Sequence, residues 1–136
     1  MLVLFSRPLF FLVLFLGISI SSHSALAEND VQHVSATEAA ESIRQQSDIV
    51  ILDVRTPEEF QQGHLEGAIN IDFHAADFQD QIRALSPRKT YLLHCRTGNR
   101  SGRTLPLMQE AGIQKIIHMD GGIESWRAVG LKTTTD

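Results

Sequence analysis

Hydrophobic residues in this chain fall into short runs separated by longer amphipathic stretches. Four runs, at residues 49–52, 68–71, 91–94 and 115–119, have the length and the aliphatic content of buried strands. A fifth candidate strand, at residues 31–34, is more polar. Apolar side chains recur at helical spacing between and after these runs, which predicts five helices that end near residues 46, 62, 85, 111 and 129. This alternation of strands and helices indicates an α/β domain with a mostly parallel five-stranded sheet and helices on both faces.

Capping and breaking residues mark several of the predicted helix ends. Ser35 or Thr37 is suited to cap the first helix, and Pro57 suits the first turn of the second. Pro87 breaks the third helix, and Gly112 follows the fourth as a C-terminal cap would. In a parallel sheet, the carboxyl ends of the strands share one rim, and ligands bind beyond that rim.

The first 27 residues follow a different pattern. Residues 9–20 are almost wholly apolar, Arg7 precedes them, and small residues follow as far as Ala27. This pattern predicts a secretory signal peptide over residues 1–27, a single domain over residues 28–136, and a periplasmic or secreted protein. We expect no stable membrane association after cleavage. Because residues 1–5 are also apolar, an uncleaved signal anchor stays open as the alternative.

Composition and charge narrow the classes of partner. The chain has 136 residues, of which 43% are hydrophobic, which suffices for one core. Its formal net charge of −4 disfavours nucleic acid and an anionic membrane surface as partners. An anionic substrate must therefore be attracted by a local site. The single cysteine cannot form an internal disulfide, so its thiol is a solitary reactive group.

The only cysteine lies in the most informative stretch of the sequence. Cys95 follows the third predicted buried strand and begins a six-residue loop that ends at Arg100, before a helix expected to start near Ser101. Loop amides and the positive end of a helix favour an anion, and Arg96 and Arg100 add full charges. Gly98 allows a positive φ, so that successive amides can point inward. These features predict a lowered thiol pKa and a reactive thiolate; the alternative is a buried structural cysteine.

This loop carries a resemblance to a known family. Its sequence, Cys-Arg-Thr-Gly-Asn-Arg-Ser, resembles the active-site loop of rhodanese-domain sulfurtransferases, whose pattern is Cys-x-x-Gly-x-Arg. Residues 53–70 and 121–126 resemble the family's flanking signatures. The three signatures occur in the family's order and cover nearly all of the chain after its first thirty residues. The resemblance implies the rhodanese fold in a single domain.

The resemblance also implies a thiosulfate sulfurtransferase. Cys95 would take a sulfane sulfur from a small anionic donor such as thiosulfate and pass it, as a persulfide, to cyanide, a small thiol or a protein thiol. Six loop residues would bind the donor or stabilise the persulfide: Arg96, Thr97, Gly98, Asn99, Arg100 and Ser101. No metal or organic cofactor is required, and the six histidines show no ligand spacing that indicates a metal site.

The side chains around this loop are expected to support it. Asp53 and Arg55 follow a predicted strand and should form a stabilising polar network at the rim, and Arg55 has the spacing of an ion pair with Glu59. Strand alternation turns His94 away from the Cys95 face, so we do not expect it to act as the base for the thiol. His118 lies in an apolar strand and is expected to be a hydrogen-bonded interior histidine.

Two other function classes stay open. A sulfur carrier or sensory module that does not turn over would keep the same cysteine. A related cysteine-dependent phosphatase or arsenate reductase would also use an anion-binding loop, but those enzymes have seven residues from cysteine to arginine. Because Cys95 to Arg100 counts six, the narrower loop favours sulfur as the attacked atom.

Overall fold

A computed structural model describes residues 29–136, so the predicted signal segment at residues 1–27 lies outside the described residues. Within the part described, no helix is long and apolar enough to cross a membrane. Ten elements follow one another along residues 29–136: β1 (Asp30–Val34), α1 (Ala36–Gln45), β2 (Val50–Asp53), α2 (Pro57–Gln61), β3 (Ile69–Asn70), α3 (Phe78–Arg83), β4 (Thr90–His94), α4 (Asn99–Glu110), β5 (Lys115–Met119) and α5 (Gly122–Ala128).

The five strands form one sheet in the order β1-β5-β4-β2-β3, and every neighbouring pair runs parallel. The predicted α/β fold with a five-stranded parallel sheet is therefore confirmed. Strand β4 lies at the centre, between β5 and β2, which explains why its residues are so apolar. The carboxyl end of this central strand leads directly into Cys95.

Each face of the sheet carries its own core. On one face, Leu93 and Cys95 lie in a cluster with Ile82 of α3 and Met108 of α4. On the other face, α1 and α5 cover the sheet, with Leu92 among the buried residues of that cluster. Complete burial of a leucine such as Leu92 or Leu93 contributes about 1.5–3 kcal/mol. Successive residues of β4 thus anchor opposite layers and hold the strand end in place.

The structure confirms the predicted caps. The Ser35 side chain accepts a hydrogen bond from the Glu38 amide, and the Glu38 carboxylate accepts one from the Ser35 amide. Pro57 occupies the first turn of α2, as predicted. Gly112, directly after the α4 cap residue, has a φ of +79°. These local interactions set the helix ends independently of the core.

Helix α4 begins earlier than predicted, at Asn99 rather than near Ser101. The reason lies at Gly98, whose φ of +103° turns the chain from the loop into the helix. The first turn of α4 therefore includes Arg100, and the backbone of this residue belongs to the helix as well as to the Cys95 loop.

Candidate active site

The Cys95 sulfur sits inside the loop and accepts two hydrogen bonds. The Gly98 amide lies 3.1 Å from Sγ, and the Ser101 hydroxyl lies 3.3 Å from it. Only 1% of Cys95 is exposed, and its surroundings are the core between the sheet, α3 and α4. The sulfur is therefore a buried acceptor that faces donors at the start of α4.

Two opposing effects set the pKa of the Cys95 thiol. Burial raises it, whereas the hydrogen bonds from the Ser101 hydroxyl and the Gly98 amide, together with the nearby backbone amides of Ser101 and Thr97, lower it. The hydrogen bonds prevail, and the pKa lies below its ordinary value of 9.0. The direction agrees with the prediction from the sequence, and the loop thereby favours the thiolate, which is the nucleophilic form.

The start of α5 holds the backbone of the loop from one side. The Ile123 amide donates to the Cys95 carbonyl at 2.9 Å, and the Glu124 amide donates to the Arg96 carbonyl at 3.1 Å. These are among the amides that a helix leaves without partners at its N-terminus. Two helix starts therefore meet at this loop: α4 faces the sulfur, and α5 holds the carbonyls behind it.

Two glycines allow the loop and the α5 turn to approach each other closely. A Cβ atom at Gly98 would lie 2.0 Å from the Asp120 carbonyl oxygen. At Gly122, where φ is +61°, a Cβ atom would lie 2.3 Å from the Arg96 carbonyl oxygen. Neither position has room for a side chain, so steric overlap explains why both signatures have glycine at these positions.

Both loop arginines form ion pairs. Arg100 donates two hydrogen bonds to the Glu59 carboxylate, at 2.6 and 2.8 Å, and this pair is largely enclosed. The Arg100 hydrogen bonds lower the pKa of Glu59 to about 2. Arg96 pairs with Glu124 at 2.6 Å, but these side chains are 63% and 49% exposed. Arg100 is thus braced against α2, whereas the Arg96 guanidinium lies in solvent.

The other expected loop residues take distinct places. Thr97 and Asn99 are exposed at the mouth of the loop, and Asn99 is the first residue of α4. Ser101 is fully buried beneath the sulfur. The loop therefore divides into an exposed outer part and a buried inner part that contacts Cys95.

Asp53 and Arg55 form a buried ion pair at the rim. Three hydrogen bonds of 2.7–3.0 Å join the Arg55 guanidinium to the Asp53 carboxylate, and Arg55 also donates to the Gly63 carbonyl. The expected ion pair between Arg55 and Glu59 is wrong: Arg55 reaches only the Glu59 backbone carbonyl, because Arg100 holds the Glu59 carboxylate.

His118 lies behind the loop. As expected, it is buried and hydrogen-bonded, but its Nε2 atom lies 2.8 Å from the Ser101 hydroxyl that contacts the sulfur. Sequence reasoning missed this link, although strand register could have indicated it: His118 pairs with Leu93, whose side chain shares the Cys95 face. Burial lowers the pKa of His118.

His94 makes no contact with the sulfur among the hydrogen bonds of the described residues. Its Nδ1 atom lies 3.0 Å from the Cys95 carbonyl oxygen, and its buried Nε2 atom lacks a hydrogen-bond partner in this part of the chain. Burial lowers the pKa of His94, which favours its neutral form. The geometry gives this histidine no route to the thiol proton.

The described residues contain one group of side chains that could hold a metal ion: His33, His118 and Asp120. Their linear spacing gives no indication of a site, because His33 and His118 are 85 residues apart. The pairing of β1 with β5 brings them together.

A cavity of about 530 Å³ opens beside the loop. Its lining includes three arginines and two glutamates: Arg55, Arg96, Arg127, Glu59 and Glu124. The exposed Arg96 guanidinium is therefore available to an anion that enters this space, at the price of its contact with Glu124.

Comparison with known proteins agrees with this geometry. The chain is 34% identical over 98 residues to an uncharacterized protein of Synechocystis, and the match covers 72% of this chain and 54% of that protein. It is 32% identical over 78 residues to a probable adenylyltransferase/sulfurtransferase, MoeZ, of Mycobacterium tuberculosis, covering 57% of this chain and 20% of that protein. The chain thus spans about half or less of the length of these two relatives.

A shorter relative and a solved structure match over most of their length. Thiosulfate sulfurtransferase GlpE of Pseudomonas putida is 35% identical over 92 residues, which cover 67% of this chain and 81% of that protein. The crystal structure of a rhodanese-related protein from Thermoplasma volcanium superposes with a TM-score of 0.68 at 28% identity, covering 77% of this chain and 99% of the other. The family model described as Rhodanese-like domain matches residues 35–129, and the chain therefore belongs to the rhodanese-like domain family.

Proposed function

We propose that this protein is a sulfurtransferase that moves a sulfane sulfur from a donor such as thiosulfate to cyanide or a thiol through a persulfide on Cys95. The observation that carries the proposal is the hydrogen-bonded sulfur, held by the Gly98 amide and the Ser101 hydroxyl. Relatives named thiosulfate sulfurtransferase, which match over most of their length, support the choice of donor.

In the first half-reaction, the Cys95 thiolate attacks the outer sulfur of thiosulfate. A bond forms between the two sulfur atoms, the bond within thiosulfate breaks, and sulfite leaves with its electron pair. The enzyme then carries an anionic persulfide. We expect the terminal sulfur to extend beyond Sγ toward the loop, where the amides that favour the thiolate would also favour the persulfide.

In the second half-reaction, the acceptor attacks the terminal sulfur. With cyanide, a carbon–sulfur bond forms, thiocyanate leaves, and the electron pair of the broken sulfur–sulfur bond returns to Sγ as the thiolate. A small thiol or a protein thiol would take the sulfur in the same way. Neither half-reaction requires an external oxidant.

The two loop arginines have different parts in this proposal. Arg96 is exposed and can exchange Glu124 for the oxygen atoms of the donor. Arg100 is enclosed and bound through two hydrogen bonds, so it keeps the loop against α2. We therefore assign donor binding primarily to Arg96. Arg100 maintains the shape of the loop and its positive electrostatic potential.

The experiment is an intact-mass measurement of the purified chain after a short exposure to thiosulfate, beside a Cys95→Ser variant. We expect the parent to gain one sulfur atom, to lose it on addition of cyanide, and to release one thiocyanate for each sulfur lost. The variant should gain nothing. Failure of the parent to gain sulfur from thiosulfate, polysulfide or mercaptopyruvate would contradict sulfur transfer.

A second measurement, of thiocyanate over many turnovers, distinguishes an enzyme from a carrier. An enzyme produces thiocyanate continuously when thiosulfate and cyanide are both in excess. A carrier that does not turn over stops after one equivalent, or releases its sulfur only to a partner thiol. Steady-state thiocyanate production therefore decides between the two.

We also propose that residues 1–27 direct export and are removed, which leaves a periplasmic or secreted domain. The support is the apolar run with its basic flank and small-residue ending. N-terminal sequencing of the protein from fractionated cells tests the proposal. A first residue of Glu28 supports cleavage, whereas an intact N-terminus in the membrane fraction supports an anchor.

A further inference from the structure

Three potential metal ligands converge on the edge of the sheet behind the loop. The Asp120 Oδ1 atom lies 2.7 Å from the Nδ1 atom of His33 and 2.8 Å from the Nδ1 atom of His118. The two Nδ1 atoms are 3.3 Å apart. The three atoms thus form a small triangle in which each is close to both others.

The sheet fixes this triangle. His33 of β1 and His118 of β5 are register partners in a parallel pair, so their side chains stand side by side on one face. Asp120 follows His118 by two residues and returns to the same face. Its amide donates to the Val34 carbonyl at 3.2 Å, which holds the chain beside β1 beyond the end of the strand.

The hydrogen bonds of the buried histidine leave its Nδ1 electron pair with only one possible donor, the Nδ1 atom of His33 at the long distance of 3.3 Å. Ser101 has one hydroxyl proton, and it donates this proton to the Cys95 sulfur. The Nε2 atom of His118, 2.8 Å from the same hydroxyl oxygen, must then be the donor of that contact. In a neutral imidazole, Nδ1 is then an acceptor, and it faces the Asp120 carboxylate oxygen at 2.8 Å. A bound cation would satisfy both acceptors.

The dimensions and the donor set fit a transition-metal ion. Bonds of about 2.0–2.1 Å place neighbouring ligand atoms about 2.9 Å apart in an octahedral site and about 3.3 Å apart in a tetrahedral one. The observed separations of 2.7, 2.8 and 3.3 Å lie close to these values. Two imidazole nitrogens and one carboxylate oxygen suit Zn²⁺ and its neighbours rather than Ca²⁺ or Mg²⁺.

We propose that His33, His118 and Asp120 bind one divalent transition-metal ion, with Zn²⁺ as the test case. The His33 and Asp120 side chains are 56% and 55% exposed, so water can reach the ion and complete its coordination. This site goes beyond the proposed sulfur transfer, which requires no metal. It also holds the proton of His118 on Nε2, directed at Ser101, as partners of a ligating histidine commonly do.

The test uses calorimetric titration of the untagged full chain with ZnCl₂, in a Cys95→Ser background that removes the only thiol. We expect one equivalent of Zn²⁺ to bind. His33→Ala and Asp120→Asn should each weaken binding by more than about 100-fold, since loss of a supporting partner alone costs about 10–100-fold. His74→Ala is the matched control, because this histidine is exposed and lies outside the cluster; it should bind as the parent does.

Co²⁺ provides a second readout, because its visible absorption reports on the ligands directly. Circular dichroism confirms that each variant is folded. Absence of one-to-one binding, or its retention in either the His33 or the Asp120 variant, would overturn the site and leave a hydrogen-bonded cluster that holds no ion. Because Cys95 is absent throughout, the outcome is independent of whether the protein transfers sulfur.

Discussion

The Cys95 loop is held differently on its two sides. On the α2 side, side chains hold the loop: Glu59 binds Arg100 through both carboxylate oxygens. On the α5 side, the backbone holds it: the Ile123 and Glu124 amides donate to loop carbonyls. Among the residues that the structure describes, one ion pair joins the loop to α5, that of Arg96 with Glu124, and it is exposed.

This difference determines where the loop tolerates substitutions. A side-chain contact is deleted by one substitution, whereas a backbone contact survives most substitutions and fails only when the backbone is displaced. We therefore expect substitutions to disturb the loop strongly where they remove a charged side chain near α2 or replace a glycine near α5. The exposed pair on the α5 side should be energetically minor, which leaves Arg96 available for a substrate.

The largest effect should come from Asp53→Ala, which leaves the Arg55 guanidinium buried without its counter-ion. We expect the free energy of unfolding to fall by about 3–5 kcal/mol, measured by urea denaturation. Asp80→Ala is the control: its pair with Arg83 is exposed, and its loss should cost less than about 0.5 kcal/mol. Equal losses in the two variants would mean that the rim pair does not support the α2 side.

The next effect should come from Gly122→Ala, the test of the α5 side. A left-handed φ costs about 1–2 kcal/mol, and the overlap with the Arg96 carbonyl adds about 1–3 kcal/mol. Gly67→Ala has a similar φ of +74° but nothing within 4 Å of the new Cβ atom, so it isolates the first cost. We expect Gly122→Ala, but not Gly67→Ala, to reduce persulfide formation. Similar losses of unfolding free energy in the two variants would argue against the tight contact at Gly122.

Glu59→Gln should have a smaller effect that depends on pH. Because the Arg100 hydrogen bonds lower the folded-state pKa of Glu59 from 4.5 to about 2, its contribution is complete above pH 4.5 and is lost as the pH falls toward 2. We expect the variant to lose about 1–2 kcal/mol at pH 7 and progressively less relative to the parent below pH 4.5. A constant difference from pH 7 to pH 2.5, by urea denaturation, would contradict the role of the Glu59 charge.

The smallest stability effect should come from Glu124→Gln. We expect a change within about 0.5 kcal/mol, because the pair with Arg96 is exposed. The substitution frees Arg96, so the KM for thiosulfate should fall about two- to fivefold, in line with a pair of this strength. Arg96→Ala should raise KM instead. An unchanged KM in both variants would remove Arg96 from donor binding.

The sequence predicted the fold well because its signals are local. The apolar runs, the Ser35 cap and the position of Pro57 each act within a few residues, and each reappears in the structure. The position of Cys95 at the end of a buried strand could be predicted for the same reason, because the strand is recognised from its own apolar residues. Several element bounds differ from the prediction by one or two residues. At the start of α4 the reason is Gly98, which turns the chain two residues earlier than the composition of the helix suggested.

The partners of the loop were harder to predict, because they depend on contacts between distant segments. Arg100 finds its carboxylate 41 residues away, in α2, and this contact changes the expected pairing of Arg55. The approach of His118 to Ser101 depends on the register of β4 with β5. Charge and spacing identify such residues as candidates, but only the assembled sheet decides which of them meet.

The burial of Cys95 has a consequence for covalent cross-linking. A disulfide requires two Cα atoms within about 7 Å, and a thiol that is only 1% exposed cannot bring a second folded domain that close without opening the loop. Two copies of this protein should therefore resist joining through their only cysteine, even under oxidising conditions. A small anion, or a thiol on a flexible segment of a partner, is narrower than a folded domain, so we expect the loop to select reagents by size before their chemistry matters.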